Sequence, residues 1–296
     1  MSGQSPTPSR GPATGLRLRR PAWRLDGHIT LLLAIVVAVF LLMSLARPGI
    51  FPTATNISSM AFQMSEIGIL TLGMMLSILI GGIDLSVNAT ANLTAIFAGL
   101  VLNRLLPGGE GNALFIPVAF LVGLLTGLAC GALNGLLIGY VRVPAILATL
   151  STMTLYMGLA FGVTRGSSIS GFPDSVLWLG NGSLLGVPVP LLVLLALAAA
   201  TSFLLNRTTY GFKVYMLGTN PVAAHFAGIN NARVILTTHI LTGLLSATTG
   251  LLALARTNSA NADYGVSYVL LSLLIVVLGG VAVTGGGQSV LRQFCG

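Results

Sequence analysis

The stretch Gly81-Gly82-Ile83-Asp84-Leu85-Ser86-Val87 sets a carboxylate and a hydroxyl in otherwise apolar surroundings. Two adjacent glycines stop a helix, because they carry no side chain and retain the most backbone freedom outside it. Asp84 then suits the N-cap of the next helix, its carboxylate accepting from free backbone N–H groups. A charge deep in a spanning helix costs about 3 kcal/mol on insertion scales, so Asp84 is expected at a helix break or in water. Two roles stay open for it: a structural cap, or, with Ser86, the lining of a polar solute path. Glu66 poses the same question, lying mid-span among Met64, Ile67 and Ile69. Acids at that depth usually face a bundle interior. A hydrogen bond to a neighbouring helix, a place on the same path, and proton coupling are its three readings.

Other chemistry has little to work with. The pattern G-x-x-x-x-G-K-[ST] is absent and Lys213 is the only lysine, so no P-loop exists and ATP hydrolysis would need a separate chain. The histidines His28, His225 and His239 are scattered without metal-ligand spacing. No metal and no cofactor is expected. Cys130 and Cys295 cannot form a disulfide framework, and no cluster of His, Cys and acidic residues supports a membrane-embedded enzyme. Met60, Met64, Met74 and Met75 read as packing. Thr149, Ser151, Thr152 and Thr154 read mostly as interhelical hydrogen bonds.

The elements that must position these residues follow from composition. Of 296 residues, 54% are hydrophobic and 7% charged, with a mean hydropathy of +0.93. An average soluble domain carries about 25% charge, so most of this surface must face lipid. The fold class expected is all-α, a polytopic transmembrane helix bundle. Runs of roughly 20 apolar residues fall at 28–46, 57–80, 88–106, 114–140, 144–163, 188–206, 233–255 and 266–284, about eight spans. The first follows a basic tail and ends in Ser44-Leu45-Ala46, but its length favours an uncleaved span over a signal peptide.

The net charge of +8 gives a topology signal rather than a nucleic-acid site. With the N-terminus inside, the inner segments hold Arg10, Arg17, Arg19, Arg20, Arg24, Arg142, Arg207, Lys213, Arg233 and Arg292. The outer ends hold Arg47, Arg104, Arg165 and Arg256. That asymmetry is the one expected of a cytoplasmic N-terminus. Residues 1–27 read as a disordered cytoplasmic tail, 28–290 as the membrane domain, and 207–232 as its longest inner loop. The segment from Ala255 to Ala260 reads as a polar external turn ahead of the last span. No short-period repeat stands out, although the glycine pairs at 81–82 and 279–280 hint at related halves. The 37 glycines suit closely packed helices.

In the inner loop, Asn220 can cap a helix, Pro221 suits its first turn and Gly228 can end it. The product is a helix of about two turns with Ala223, Phe226 and Ala227 on one side. So short a helix is not stable alone, and either its own bundle or a cytoplasmic partner must hold it.

Several of these motifs, taken in order, carry a resemblance. Gly81-Gly82-Ile83-Asp84-Leu85-Ser86, Asn134-Gly135-Leu136, and Val143-Pro144-Ala145 followed by Thr149-Leu150 form the first part. Tyr210-Gly211, Gly218-Thr219-Asn220-Pro221 with Ala223-Ala224, and Ala227-Gly228-Ile229-Asn230 complete it. Over roughly residues 50–290 the chain resembles the ribose/xylose/arabinose-type permease family of bacterial ABC importers. The resemblance implies an inner-membrane protein that makes and breaks no bond itself. It implies a second permease copy or homologue, separate ABC ATPase subunits, and a periplasmic sugar-binding protein as partners. It also makes 207–232, with Tyr210, Gly211, Gly218, Asn220, Pro221, Ala223, Ala224, Phe226 and Gly228, the loop that docks the ATPase. Autoinducer-2, a polyol or a nucleoside are alternative cargoes, and an ion-coupled secondary transporter is the alternative class. Two departures stand out. Asn88 replaces the glycine usual in the family, and the chain leaves the pattern after Val290. The expectation is therefore a C-terminally truncated member with a divergent end at 291–296, lacking one or two spans.

Overall fold

The computed structural model describes residues 27–106 and 115–281. The basic tail up to residue 26 and the divergent end at 291–296 lie outside the described residues. The helices are α1 (Gly27–Ala46), α2 (Ala54–Leu79), α3 (Val87–Leu105), α4 (Phe115–Gly139), α5 (Ala145–Thr164), α6 (Asp174–Asn181), α7 (Val189–Arg207), α8 (Thr209–Thr219), α9 (Pro221–Phe226), α10 (Asn231–Thr257) and α11 (Tyr268–Leu278). Four two-residue strands pair antiparallel: β1 (Ile169–Ser170) with the distant β4 (Ser259–Ala260), and β2 (Ser183–Leu184) with β3 (Val187–Pro188) in a hairpin. Seven of the eight expected spans coincide with a helix, and of the last, 266–284, α11 covers 268–278 before the described residues end at 281. Among the described residues α2, α4, α5, α7 and α10 are long and apolar enough to cross a membrane by themselves.

Helix α3 is not among those five, and its position explains why it need not be. Every residue from Val87 to Ile96 is buried, including Asn88, Thr90, Asn92 and Thr94. Its neighbours α2, α4, α5 and α10 separate it from lipid, so its polar groups are matched by protein rather than hydrocarbon. At 27 residues, α10 is the longest helix and forms the axis of the bundle. It packs on α2, α3, α4 and α6, while α7 and α11 cover α2. Helix α1 stands at the rim, with Leu31, Val36, Leu42 and Leu45 exposed along it.

The most extensive helix contact, between α4 and α10, uses a glycine repeat. Gly123, Gly127, Gly131, Gly135 and Gly139 recur every fourth residue of α4, a spacing that puts them on one face. A Cβ at Gly127 or Gly131 would overlap the backbone of Gly243 or His239 on α10. In return, a Cβ at Gly243 would overlap the carbonyl of Gly127. Small residues let two backbones approach this closely, and dispersion then holds them together.

The glycine pairs end their helices in one way. Gly81 (φ +82°) donates to the Ile78 carbonyl and Gly82 to that of Ser77; Gly280 (φ +87°) and Val281 repeat this on Val277 and Val276. Both are left-handed caps that return orphan carbonyls to a partner.

The expected external turn after α10 behaves differently. Asn258 takes a left-handed conformation, its side-chain oxygen accepts from the Phe172 N–H at 2.9 Å, and β4 pairs with β1. From there the chain turns back into the bundle, burying Ala260 and Ala262. Asn92 on α3 donates to the carbonyls of Ala262 and Tyr264 at 3.0 and 2.9 Å, and Asn88 to that of Tyr264 at 2.9 Å. Such non-helical backbone survives at depth only where protein satisfies it, and the two asparagines do so.

Candidate functional site

The break between α2 and α3 brings together residues from four helices. Gly82 lies against α5, where an added Cβ would come within 3.0 Å of the Ala145 Cβ. The Ile83 carbonyl accepts from Thr149 on α5 at 3.1 Å. Asp84 Oδ1 accepts from the Ser86 backbone N–H at 2.9 Å and from Ser86 Oγ at 2.7 Å. Its Oδ2 lies 3.2 Å from His239 Nδ1 on α10. Ser86 Oγ in turn accepts from Asn134 Nδ2 on α4 at 2.7 Å. A carboxylate only accepts, so the ring donates from Nδ1, an assignment that rests on this bond. Asp84, Ser86, Asn134 and His239 are all at most 2% exposed. The buried atoms left without partners here are Asn134 Oδ1 and His239 Nε2. With the ring neutral, Nε2 is an acceptor like Oδ1, so the cluster holds two acceptors without a donor.

Asp84 does not take the N-cap position expected of it. Helix α3 opens at Val87 behind Ser86, which makes no side-chain cap bond. The carboxylate instead braces the turn before the helix and ties it to α10.

Glu66 belongs to a second cluster, apart from Asp84. Its Oε1 accepts from Arg256 Nε at 2.5 Å and its Oε2 from Arg256 Nη2 at 3.3 Å, a bidentate pairing. Tyr264 joins both, accepting from Arg256 at 2.8 Å and donating to Glu66 Oε2 at 3.0 Å. Glu66 is 1% exposed and the Arg256 side chain 23%. Of its three sequence readings, the interhelical bond is the one observed. Arg256, counted among the outer-end bases, turns inward to supply it.

The sequence singled out Asp84, Ser86 and Glu66 but not their partners Asn134, His239, Arg256 and Tyr264 in this capacity. One signal was available: ionisable residues within spans face partners, and His239 and Arg256 are both in α10. Of the four hydroxyls assigned to interhelical bonds, only Thr149 makes one; Ser151, Thr152 and Thr154 bond carbonyls of their own helix. Among the described residues no group of His, Cys, Asp and Glu could hold a metal ion.

The 207–232 loop folds into α8 and α9. Asn220 accepts from the N–H groups of Val222 and Ala223, both at 3.0 Å, Pro221 fills the first turn, and Gly228 (φ +80°) ends the segment. Gly211 abuts the Leu205 backbone, where no side chain would fit. Gly218 is half-buried in the last turn of α8. Tyr210 is half-buried and shares a 2.7 Å hydrogen bond with Thr238 on α10; burial pushes its phenol up to about 12. Ala223 is exposed as expected, and so are Phe212, Val222 and Phe226. Ala224 is a correction: it is fully buried against the bundle and cannot belong to a docking surface. Helix periodicity accounts for this, since one face of so short a helix must be held by its own core. Around the loop Arg142, Arg207, Lys213 and Arg233 are exposed, with no carboxylate on the described loops of this end.

Residues 56–292 match the family described as the branched-chain amino acid transport system permease component, and the chain belongs to that family. It is a multi-pass, helical inner-membrane permease. It is 33% identical to the ribose import permease protein RbsC of Escherichia coli K12 over 287 residues, covering 96% of this chain and 86% of that one. Identity to RbsC of Haemophilus influenzae is 34%, over 88% of this chain and 79% of the relative. The autoinducer 2 import system permease protein LsrD of Yersinia enterocolitica is also 34% identical, over 80% and 72%. No solved structure matches.

Proposed function

We propose that this chain is the membrane path of an ABC importer for a monosaccharide or related small polar solute, delivered by a periplasmic binding protein and driven by a separate ATPase. Similarity over most of the chain to permeases named for ribose and autoinducer 2 supports the solute class. The state of the buried charges supports it too. Glu66, Arg256 and Asp84 are each engaged by protein partners, which leaves no buried charge among the described residues free to receive the charged ends of an amino acid.

The observation that carries the coupling role is the exposed apolar patch of Phe212, Val222 and Phe226 on a cationic loop. Phe226 is 83% exposed beside Ala223 and Ala227, and a large exposed apolar surface marks an interaction site. This end faces the cytoplasm in our reading, so the partner is the ATPase. A second permease copy pairs through α5, whose Thr154, Gly158 and Gly162 recur every fourth residue with open space over both glycines.

Phe226→Asp tests the coupling surface: it should release the ATPase on co-purification while leaving the melting temperature of the permease unchanged. An unchanged ATPase ratio would move the docking site elsewhere. Collapse of the proton gradient with ATP maintained should leave uptake intact; its loss would instead favour an ion-coupled transporter.

A further inference from the structure

A cavity of about 370 Å³ lies between α3, α5, the re-entrant segment and α11. Its polar side chains are Asn88 and Asn92, with walls that include Met153, Met157, Val266 and Leu270. No charged side chain lines it. We propose that this cavity is a solute-binding subsite within the membrane path, taking a neutral polyhydroxy solute on the Oδ1 atoms of Asn88 and Asn92. The inference rests on the importer reading above and adds the place and the recognition chemistry.

The argument begins with the amide nitrogens. Both Nδ2 groups donate to backbone carbonyls, Asn88 to Tyr264 and Asn92 to Ala262 and Tyr264. Carbonyls only accept, so these bonds fix which end of each amide is oxygen. Among the described residues no protein donor reaches either Oδ1, and neither is among the buried unpartnered atoms. Both oxygens therefore border free space while their side chains are at least 95% buried, at 5% and 4% exposure. Being four residues apart on α3, they share one face. The result is a pair of acceptors, held rigid by their own tethers, in a cavity without charge.

Such a pair selects its ligand. It needs donors, which hydroxyl groups supply, and it offers nothing to neutralise an ion. The volume falls at the lower end of small-molecule sites, about 300–1,000 Å³, and apolar walls with a few fixed polar groups are their usual make-up. Two methionines give one wall that adapts to ring shape at little cost. With only two acceptors the site binds weakly, as a path that must also release its solute requires.

The test uses the permease assembled with its ATPase and binding protein in proteoliposomes, with radiolabelled D-ribose as probe. Met157→Trp fills the cavity without touching either tether and should lower ribose uptake about tenfold or more. Co-purification of the ATPase at the wild-type ratio confirms its assembly. Should the tryptophan variant fail to assemble, Met153→Phe fills the same space from one turn away with the same expectation. Asn88→Leu removes one of the two acceptors and should raise KM for ribose about tenfold at an unchanged ATPase ratio. Wild-type uptake in either methionine variant would overturn the proposal, as would a phospholipid retained by wild type and lost in Met157→Trp with uptake unchanged. Absence of ATP-dependent uptake by the wild-type complex, for ribose and for the solute that its own binding protein captures, would instead overturn the importer reading itself.

Discussion

The bundle holds two buried carboxylates and treats them in opposite ways. Glu66 meets a full positive charge, bidentate from Arg256 and closed by Tyr264. Asp84 meets three donors, the Ser86 N–H, the Ser86 hydroxyl and the His239 ring. The first cluster joins the middle of α2 to the last turn of α10 and the re-entrant segment, and each of its groups finds a partner. The second sits at a helix break where α3, α4, α5 and α10 meet, and keeps two acceptors unpaired in Asn134 and His239. A closed ion pair acts as a clamp, whereas a hydrogen-bonded carboxylate with spare acceptors beside it can rearrange by exchanging single bonds. Movement between states of a transport cycle is therefore expected at Asp84 and rigidity at Glu66.

The sharpest way to break this contrast is Arg256→Leu. It strands a buried carboxylate, and losing one partner of a buried pair costs about 3–5 kcal/mol. The melting temperature in detergent should fall accordingly, and Glu66→Gln in the same chain should recover much of the loss. A cost below about 1 kcal/mol would show that Glu66 is not clamped.

At the break, Asp84→Leu leaves three donors without an acceptor and is expected to cost about 2–3 kcal/mol. Asp84→Asn retains one accepting oxygen and should melt within about 1 kcal/mol of wild type. If the residue takes part in transport, the asparagine variant will still lose uptake. Full uptake by Asp84→Asn beside strong loss in Asp84→Leu would reduce Asp84 to a brace.

Gly131→Ala reaches the same cluster indirectly. Its Cβ would overlap the His239 carbonyl, so α10 must shift and carry the ring away from Asp84. An overpacked site costs about 1–3 kcal/mol. Combined with His239→Ala the effect should be less than additive, and combined with Arg256→Leu additive. The reverse pattern would mean that the two clusters are coupled.

The smallest effect is expected at Tyr210. Tyr210→Phe removes the bond to Thr238 and should cost about 1 kcal/mol. The folded phenol titrates near 12 against 10.0 for the free group, because burial disfavours its anion. A raised value stabilises the neutral fold, so this contribution is complete below about pH 10 and fades as pH rises toward about 12. Stability curves of wild type and Tyr210→Phe should therefore converge as pH rises through that window.

Sequence by itself determined where the spanning helices lie, though not the short helices α6 and α8 of the loops. Backbone polar groups must be satisfied in hydrocarbon, so a run of about 20 apolar residues has one available structure. Local caps were equally legible: Gly81 and Gly82 after α2, Asn220 and Pro221 ahead of α9, and Gly228 after it all act through bonds within a few residues. Tertiary structure alone decided who meets whom. Glu66 and Arg256 are 190 positions apart, and Asp84 and His239 155, separations across which helical periodicity carries no register. Ala224, likewise, differs from Ala223 only in which side of α9 the bundle covers. The glycine repeat of α4 lay open in the sequence, but its partner did not, because a face of small residues specifies close approach without naming the helix that approaches. The asparagines of α3 read as ordinary polar residues until the chain after α10 turned inward and used their nitrogens, leaving their oxygens to the cavity.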